Sequence, residues 1–444
     1  LRRAHGTSLI VLHQLGNLFR IPDIRHRLWM TFLFLVLYRV GMNIPLPGTN
    51  MPLYREILTG QSGQSFLAML DILSGGSVEN CTLFGLGIMP YISASIIFSL
   101  LVKVVPRLEA VAKEGSAGQR RINQWTRFAT VPLAMVQAWI VTTSIYQAPA
   151  ADAGAQQLLA SGFFTGLGAV LAMTAGTIVL MWVGEQITEH GIGNGISLLI
   201  MAGIISRVPQ SVVALVQRSE SPLAPLVLLA LFFGVVVVVV YITKGTRRIP
   251  VQYAKLIRGH RAYGGGRHFL PVKVNQAGVM PVIFASALLS FPQMMSSALG
   301  WRWLEAIFHW GSWFYTVLDV ALIYFFSYFW TSLMFNPAEM SKNMKESGSF
   351  IPGIRPGRHT ADYLQKVMTH MTLAGATFLA VIAIVPSWLA RRAGAESSPS
   401  IAGFLGGTSI LIVVSVALDL VDKLNSHLLM RRYEGFMGGE ADRT

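Results

Sequence analysis

Gly87-Ile88-Met89-Pro90-Tyr91-Ile92-Ser93-Ala94-Ser95 comes back as Gly278-Val279-Met280-Pro281-Val282-Ile283-Phe284-Ala285-Ser286, with Gly, Met, Pro, Ile, Ala and Ser kept in register. Each copy opens a long apolar stretch. Working outward, runs apolar enough for membrane helices lie near 28–44, 84–105, 128–147, 162–183, 192–208, 223–242, 277–298, 314–335, 367–389 and 401–421, since about 20 apolar residues of helix span the hydrocarbon core. The copies fall on the second and the seventh of these ten. Those positions are equivalent in two five-helix halves, and five is odd, so the copies cross in opposite directions. An inverted internal repeat predicts a pathway at the interface between the halves. A chain this apolar offers many windows for a chance match, so the symmetric placement carries the weight.

The remaining composition agrees. Of 444 residues 53% are hydrophobic and 13% charged, and the mean hydropathy is +0.53, which is not the balance of a soluble domain. The opening is polar and basic, and the first apolar run lacks a small-residue cleavage site, so no cleavable signal peptide is expected. Cys81 is the one cysteine, which rules out an intramolecular disulfide and a cysteine metal site. A net charge of +14 would suit a nucleic-acid binder, but its distribution points to topology. Most of the Lys and Arg fall in segments on one side of the ten spans, leaving Arg55, Arg207, Arg218, Arg302, Arg391 and Arg392 on the other and Arg39 within a helix. The positive-inside rule then puts both termini in the cytoplasm. The expected fold is an all-α polytopic membrane protein of ten transmembrane helices, in two inverted pseudo-symmetric halves, 1–210 and 211–444, around a central pore.

Two inner loops, 244–275 and 336–366, are long, basic and rich in Gly and Pro. That is more chain than topology requires, so they read as a docking surface for an acidic cytosolic partner or ribosomal RNA; topogenic charge with anionic-lipid contacts is the plainer reading. Ile249–Tyr253 suggests a strand of a projecting hairpin, with Gly264-Gly265-Gly266 as its tip. Four tryptophans between Trp301 and Trp313 suggest an interfacial helix. Before the second span, Ser65–Leu73 reads as a nine-residue apolar helix broken by Ser74-Gly75-Gly76-Ser77. At about 1.5 Å per residue it is too short to cross a bilayer, so it lies on the surface or folds back into a cavity.

Catalytic signatures are missing: there is no His-Glu-x-x-His, no Gly-x-Ser-x-Gly and no phosphate loop. Gly191-Ile192-Gly193-Asn194-Gly195 lacks the strand that a nucleotide fingerprint needs, and reads as a tight turn that lets the fifth helix approach a neighbour. No enzyme activity, cofactor or metal is expected. A secondary transporter of a small solute is the rival, but its midplane ionisable groups are represented only by Arg39, Asp319, Glu185 and Asp419, each near enough to a helix end to snorkel or cap. The deep positions of the repeat are instead Ile, Val, Met, Ser and Ala, none of them ionisable. Such a constriction seals by dewetting and has nothing with which to bind a polar solute.

The stretches GIMPYISASII (87–97), LEAVAKEGSAGQRRINQWTR (108–127), GEQITEHGIGNGISLLI (184–200), GTRRIPVQYAK (245–255), LPVKVNQAGVMPVIFAS (270–286), FNPAEMSKNMKESGSFIPGIRPG (335–357) and GGTSILIVVSVALD (406–419) resemble the SecY family, the central channel subunits of bacterial protein translocation, along nearly the whole chain. The resemblance implies an hourglass of two halves hinged between helices five and six. It implies a pore ring of Ile88, Ile92, Ile196, Ile200, Ile283 and Ile412, with Ile410 the alternative in the tenth helix; each Ile taken singly reads as helix packing. It identifies 65–80 as a plug, with Phe66, Leu67, Met69, Leu70, Ile72 and Leu73 as its apolar residues. A lateral gate is implied along helices two and seven, at Pro90, Ser95, Pro281 and Ser286, joined by helices three and eight. The prolines are expected either to bend their helices near the ring or to serve static packing.

Function follows from the same resemblance. An unfolded, signal-bearing preprotein is expected to pass through the ring, and membrane helices to leave sideways into the lipids of the bacterial cytoplasmic membrane. The SecA motor ATPase or the ribosome would drive transport from the basic loops, at Arg247, Arg248 and Arg355. SecE and SecG are the expected companion subunits. His190 stands where Arg is common in the family, and Leu256–Phe269 diverges, which touches partner specificity rather than function.

Overall fold

The computed structural model describes residues 22–47, 82–147, 163–218, 223–253, 255–258, 261–264, 266–299, 307–308, 312–392 and 407–438. Each of the ten expected spans has a helix among them: α1 (Pro22–Gly41), α2 (Met89–Val104), α4 (Ser116–Gln147), α5 (Phe163–His190), α6 (Gly195–Arg218), α7 (Leu223–Thr243), α8 (Met280–Leu299), α9 (Trp313–Met334), α11 (Arg358–Arg392) and α12 (Gly407–Gly438). Two short helices join them, α3 (Pro106–Lys113) and α10 (Pro337–Glu346). By length and composition alone Phe164–His190, Trp313–Glu346 and Arg358–Pro386 suffice to cross a membrane, and α2 with α3 forms a fourth candidate bent by 99°. Large apolar side chains such as Phe128, Phe164, Val237 and Trp313 stay more than half exposed, as lipid-facing surfaces require.

Several helices outrun their apolar stretches. α4 starts twelve residues before 128, α6 runs on to Arg218, and α11 begins at Arg358 rather than 367. Hydropathy marks where the bilayer lies, whereas backbone hydrogen bonding continues into water wherever polar residues with good helix propensity follow. Arg358–Lys366 and Ser116–Arg127 are such extensions.

The long inner loops are not loops. β1 (Thr246–Tyr253) pairs antiparallel with β4 (Arg267–Lys273), from Thr246 opposite Lys273 to Gln252 opposite Arg267, and with β5 (Ser349–Phe350). The expected strand at Ile249–Tyr253 is therefore present. Its expected tip is not: β2 (Lys255–Arg258) pairs antiparallel with β3 (Arg261–Gly264), Arg258 opposite Arg261 and Lys255 opposite Gly264, so Gly264 ends a strand. The Trp301–Trp313 segment and the plug segment lie mostly or wholly outside the described residues.

The chain divides into two compact units, one of 1–212 with 294–300 and 416–444, the other of 213–293 with 301–415. In the first, α2 packs on α4, and α4 on α5. Gly195 meets the Gly184 carbonyl so closely that a Cβ there would collide, and Gly193 takes φ 93°, which is the tight turn and close approach expected at 191–195. Thr31 Oγ1 accepts the Ile192 N–H at 3.1 Å, while Ile24 and Ile192 pack with Leu28, Leu420 and Leu424. In the second unit, α9 packs on α11, and the sheet shares a core with the start of α11: Ile249, Val251, Val272, Ile351, Leu364, Val367 and Met368. β1 alternates as a half-buried strand should, Ile249 and Val251 inward, Arg248 and Pro250 outward.

Candidate functional site

The two copies of the repeated phrase have the same local structure. Gly87 and Gly278 both adopt left-handed backbone, φ 57° and 63°, a region that costs residues with a Cβ roughly 1–2 kcal/mol. Two residues later a helix starts, at Met89 and at Met280. The first N–H of each repeated isoleucine closes the same ring, Ile92 to the Ile88 carbonyl at 3.1 Å and Ile283 to the Val279 carbonyl at 3.2 Å. Burial follows in register: Ile92 and Ile283 are each 6% exposed and Ala94 and Ala285 each 0%. Both prolines are buried, and Ser95 and Ser286 are half-buried.

This geometry corrects one expectation. Pro90 and Pro281 are each the second residue of a helix, where a backbone N–H has no intrahelical partner to lose and the fixed φ suits the first turn. They start α2 and α8 and do not bend them. The sharp bend in this region is the 99° break between α2 and α3, around Val105.

The copies differ where Ser93 stands for Phe284. Phe284 meets Phe326 and Trp330 of α9 edge to face, with centroids 5.7 and 5.2 Å apart, so α8 is tied to α9 by aromatic contacts. Ser93 is 2% exposed and its hydroxyl has no partner among the described residues. The hydroxyl of Ser286 donates to the Ile283 carbonyl at 3.0 Å.

Ile88 stands at the N-cap of α2, one turn ahead of Ile92, and Ile196 and Ile200 sit one turn apart on α6. Ile88, Ile200, Ile410 and Ile412 are buried, at 5%, 5%, 3% and 2% exposure, while Ile196 is half-buried with its Cγ1 near Gly184 of α5. Phe66, Leu67, Met69, Leu70, Ile72 and Leu73 lie outside the described residues. Arg247 and Arg248 are exposed at the start of β1, and Arg355 is exposed ahead of α11, its carbonyl accepting Thr360 Oγ1 at 2.9 Å. The second loop joins the same sheet where β5 pairs with β1, and it is braced within itself: Asn336 caps α10 by accepting the Glu339 N–H, and Ser341 Oγ donates to the Gly357 carbonyl at 2.6 Å. On α3, the Lys113 hydrogen bond and charge hold the Glu109 carboxyl below its usual range.

One pair escaped the sequence reading. Arg127 Nε donates to Glu185 Oε1 at 2.6 Å, joining α4 to α5, and the Glu185 side chain is 19% exposed. Glu185 is thus neutralised by a partner rather than snorkelling at a helix end. Hydropathy carries no signal for it: Arg127 stands just ahead of the apolar run that starts at 128, where a topogenic charge is also expected. Asp419 pairs with Lys423 at 3.4 Å. Among the described residues no group of His, Cys, Asp and Glu is placed to hold a metal ion.

Comparison with known proteins adds the following. The SecY family profile matches residues 82–421. The protein translocase subunit SecY of Corynebacterium glutamicum is 42% identical over 436 residues, covering 94% of this chain and 98% of that one. The corresponding subunit of Streptomyces galbus is 42% identical over 442 residues, with 96% and 100% covered, and that of Thermotoga maritima 38% over 426 residues, with 95% and 96% covered. Among solved structures, a protein-conducting channel superposes with TM-score 0.60 at 18% identity, covering 93% of this chain and 96% of the other. The Sec61 chain of a canine ribosome-channel complex from the endoplasmic reticulum does so with TM-score 0.58 at 17% identity over the same shares. At those identities the likeness is one of fold.

Proposed function

The chain belongs to the SecY family of protein-conducting membrane channels, and from that premise we propose how its residues divide the work. Ile88, Ile92, Ile196, Ile200, Ile283 and Ile412 line one constriction between two inverted halves, 1–210 and 211–444. The observation that carries this reading is the structural identity of the two repeated phrases, down to glycine conformation, helix start and isoleucine burial. An apolar constriction excludes water and ions at rest by dewetting and yields to a passing chain without binding it.

A signal sequence, being an apolar helix, gains burial by lodging at the seam beside α2 and α8, with Ser95 and Ser286 on the parting faces. The segment 65–80 is the plug. The mature preprotein then crosses unfolded, and apolar segments leave sideways into lipid. No part of this requires a catalytic group in the chain; energy comes from a SecA motor or a translating ribosome seated on the folded basic surface that carries Arg247, Arg248 and Arg355. SecE and SecG complete the complex, in a bacterial cytoplasmic membrane with both termini inside.

Reconstitution with companion subunits and a motor tests the proposal. Vesicles should take up an unfolded preprotein into a protease-protected space only when it carries a signal sequence. Saturable uptake of a small solute, with no protected preprotein, would install the transporter reading instead.

A further inference from the structure

The connection from the cytoplasmic sheet to α8 is built, residue by residue, to hold its shape. β4 ends at Lys273, opposite Thr246. Val274 then donates its N–H to the Gly245 carbonyl at 2.9 Å, so the connection departs from the point where α7 hands over to β1. Gly375 of α11 lies against it: a Cβ there would come within 2.7 Å of the Val274 carbonyl oxygen and 3.5 Å of Asn275 Cα. Asn275 is only 7% exposed, and its Nδ2 donates to the Gly278 carbonyl at 3.0 Å. That carbonyl belongs to the left-handed glycine whose backbone aims α8. Ala277, between them, is 6% exposed. The Val279 carbonyl then accepts the N–H of Ile283.

We infer that residues 274–278 are a rigid link that passes movement of the cytoplasmic sheet to α8 and Ile283, with Asn275 as its positioning residue. The inference rests on the reading of α8 as a pore helix. An unclasped connection of this length absorbs a displacement in its own soft dihedrals. Here the side-chain amide of Asn275 fixes the glycine turn from inside, and the helix backbone at Gly375 backs the strand with no side chain between to yield. A load on the sheet therefore moves α8 as a body. Gly375 has to be small for this contact, and Asn275 has to donate: aspartate has the same shape and, ionised, no N–H to offer.

Hydrogen exchange on the full chain in phosphatidylethanolamine–phosphatidylglycerol nanodiscs tests this. Polyglutamate serves as the docking probe, chosen because Arg247, Arg248, Arg267 and Lys273 are exposed on the sheet. In the native chain, bound polyglutamate should change exchange at 279–284 severalfold. In Asn275→Ala and Asn275→Asp it should bind with the same salt-dependent affinity, leave β1 and β4 protected, and no longer alter 279–284. The link is overturned if both variants still pass the change, if the native chain shows none or fails to bind the probe, or if both variants lose protection throughout the sheet, which would make Asn275 a folding residue. Preprotein uptake by the native chain is scored separately. If uptake fails while the exchange pattern holds, the channel reading falls and the link stands; if uptake succeeds and the variants still transmit, the link falls alone.

Discussion

The two copies of the repeated phrase are alike in backbone from the glycine onward and unlike before it. In the first unit the approach to Gly87 is fastened to helices. Leu83 donates to the Ile44 carbonyl at 3.0 Å, Thr82 bridges to Pro45, Phe84 stacks on Tyr38 with centroids 6.4 Å apart, and the Leu83 carbonyl lies against Gly176 of α5. In the second unit the approach to Gly278 comes straight from a β-sheet with its own core. One internal motif thus serves two attachments. In chain order the copy on α2 follows residues 65–80, the proposed plug, and the copy on α8 follows the basic sheet, the proposed docking face. Sequence similarity between halves is retained where the helix begins and its isoleucine is placed, and is lost in the segments that lead into it, which have different contacts.

Replacing the shared isoleucine tests the part the copies have in common. Ile92→Ser and Ile283→Ser should each raise resting ion conductance in planar bilayers, and the double variant should raise it most. Conductance unchanged in all three would remove these positions from the constriction. The next effect should be confined to one approach. Leu364, 0% exposed in the core beneath the sheet, should cost about 2–5 kcal/mol when cut to alanine, read as lost amide protection in β1 and β4 with α2 unaffected. Equal loss at residues 82–92 would show that the two approaches are not independent. Smallest is the glycine pair. Gly87→Ala and Gly278→Ala should cost about 1–2 kcal/mol each, nearly equally, since the two φ values agree within a few degrees. A large inequality would mean that the surroundings, not the backbone, hold the turn.

Much of this was legible in the sequence for a physical reason. Membrane helices announce themselves by length and apolarity, and charge bias orients them, so all ten helices and the strand at Ile249 were readable. The repeat and the 191–195 turn were readable because glycine and proline have few other uses at such positions. What hydropathy hides is pairing. Arg127 looked topogenic and Glu185 looked like a cap until α4 and α5 were side by side. The basic loops showed one strand but hid their shared core, because it is assembled from single residues, Ile249, Val272, Ile351 and Leu364, spread over more than a hundred positions. Pro90 and Pro281 were placed on the right helices, and of the two roles open to them the bend falls away: an apolar run that starts earlier than its helix makes a first-turn proline look internal.

The central claim is that a polypeptide passes between the two copies. It is tested most directly by placing a photoreactive group at Ile92 or at Ile283 and stalling a signal-bearing preprotein midway. Both positions should give adducts with the mature part of that chain, and deleting its signal sequence should abolish them. Adducts from neither position, while the preprotein still reaches the protected space, would contradict a pathway lined by the repeat.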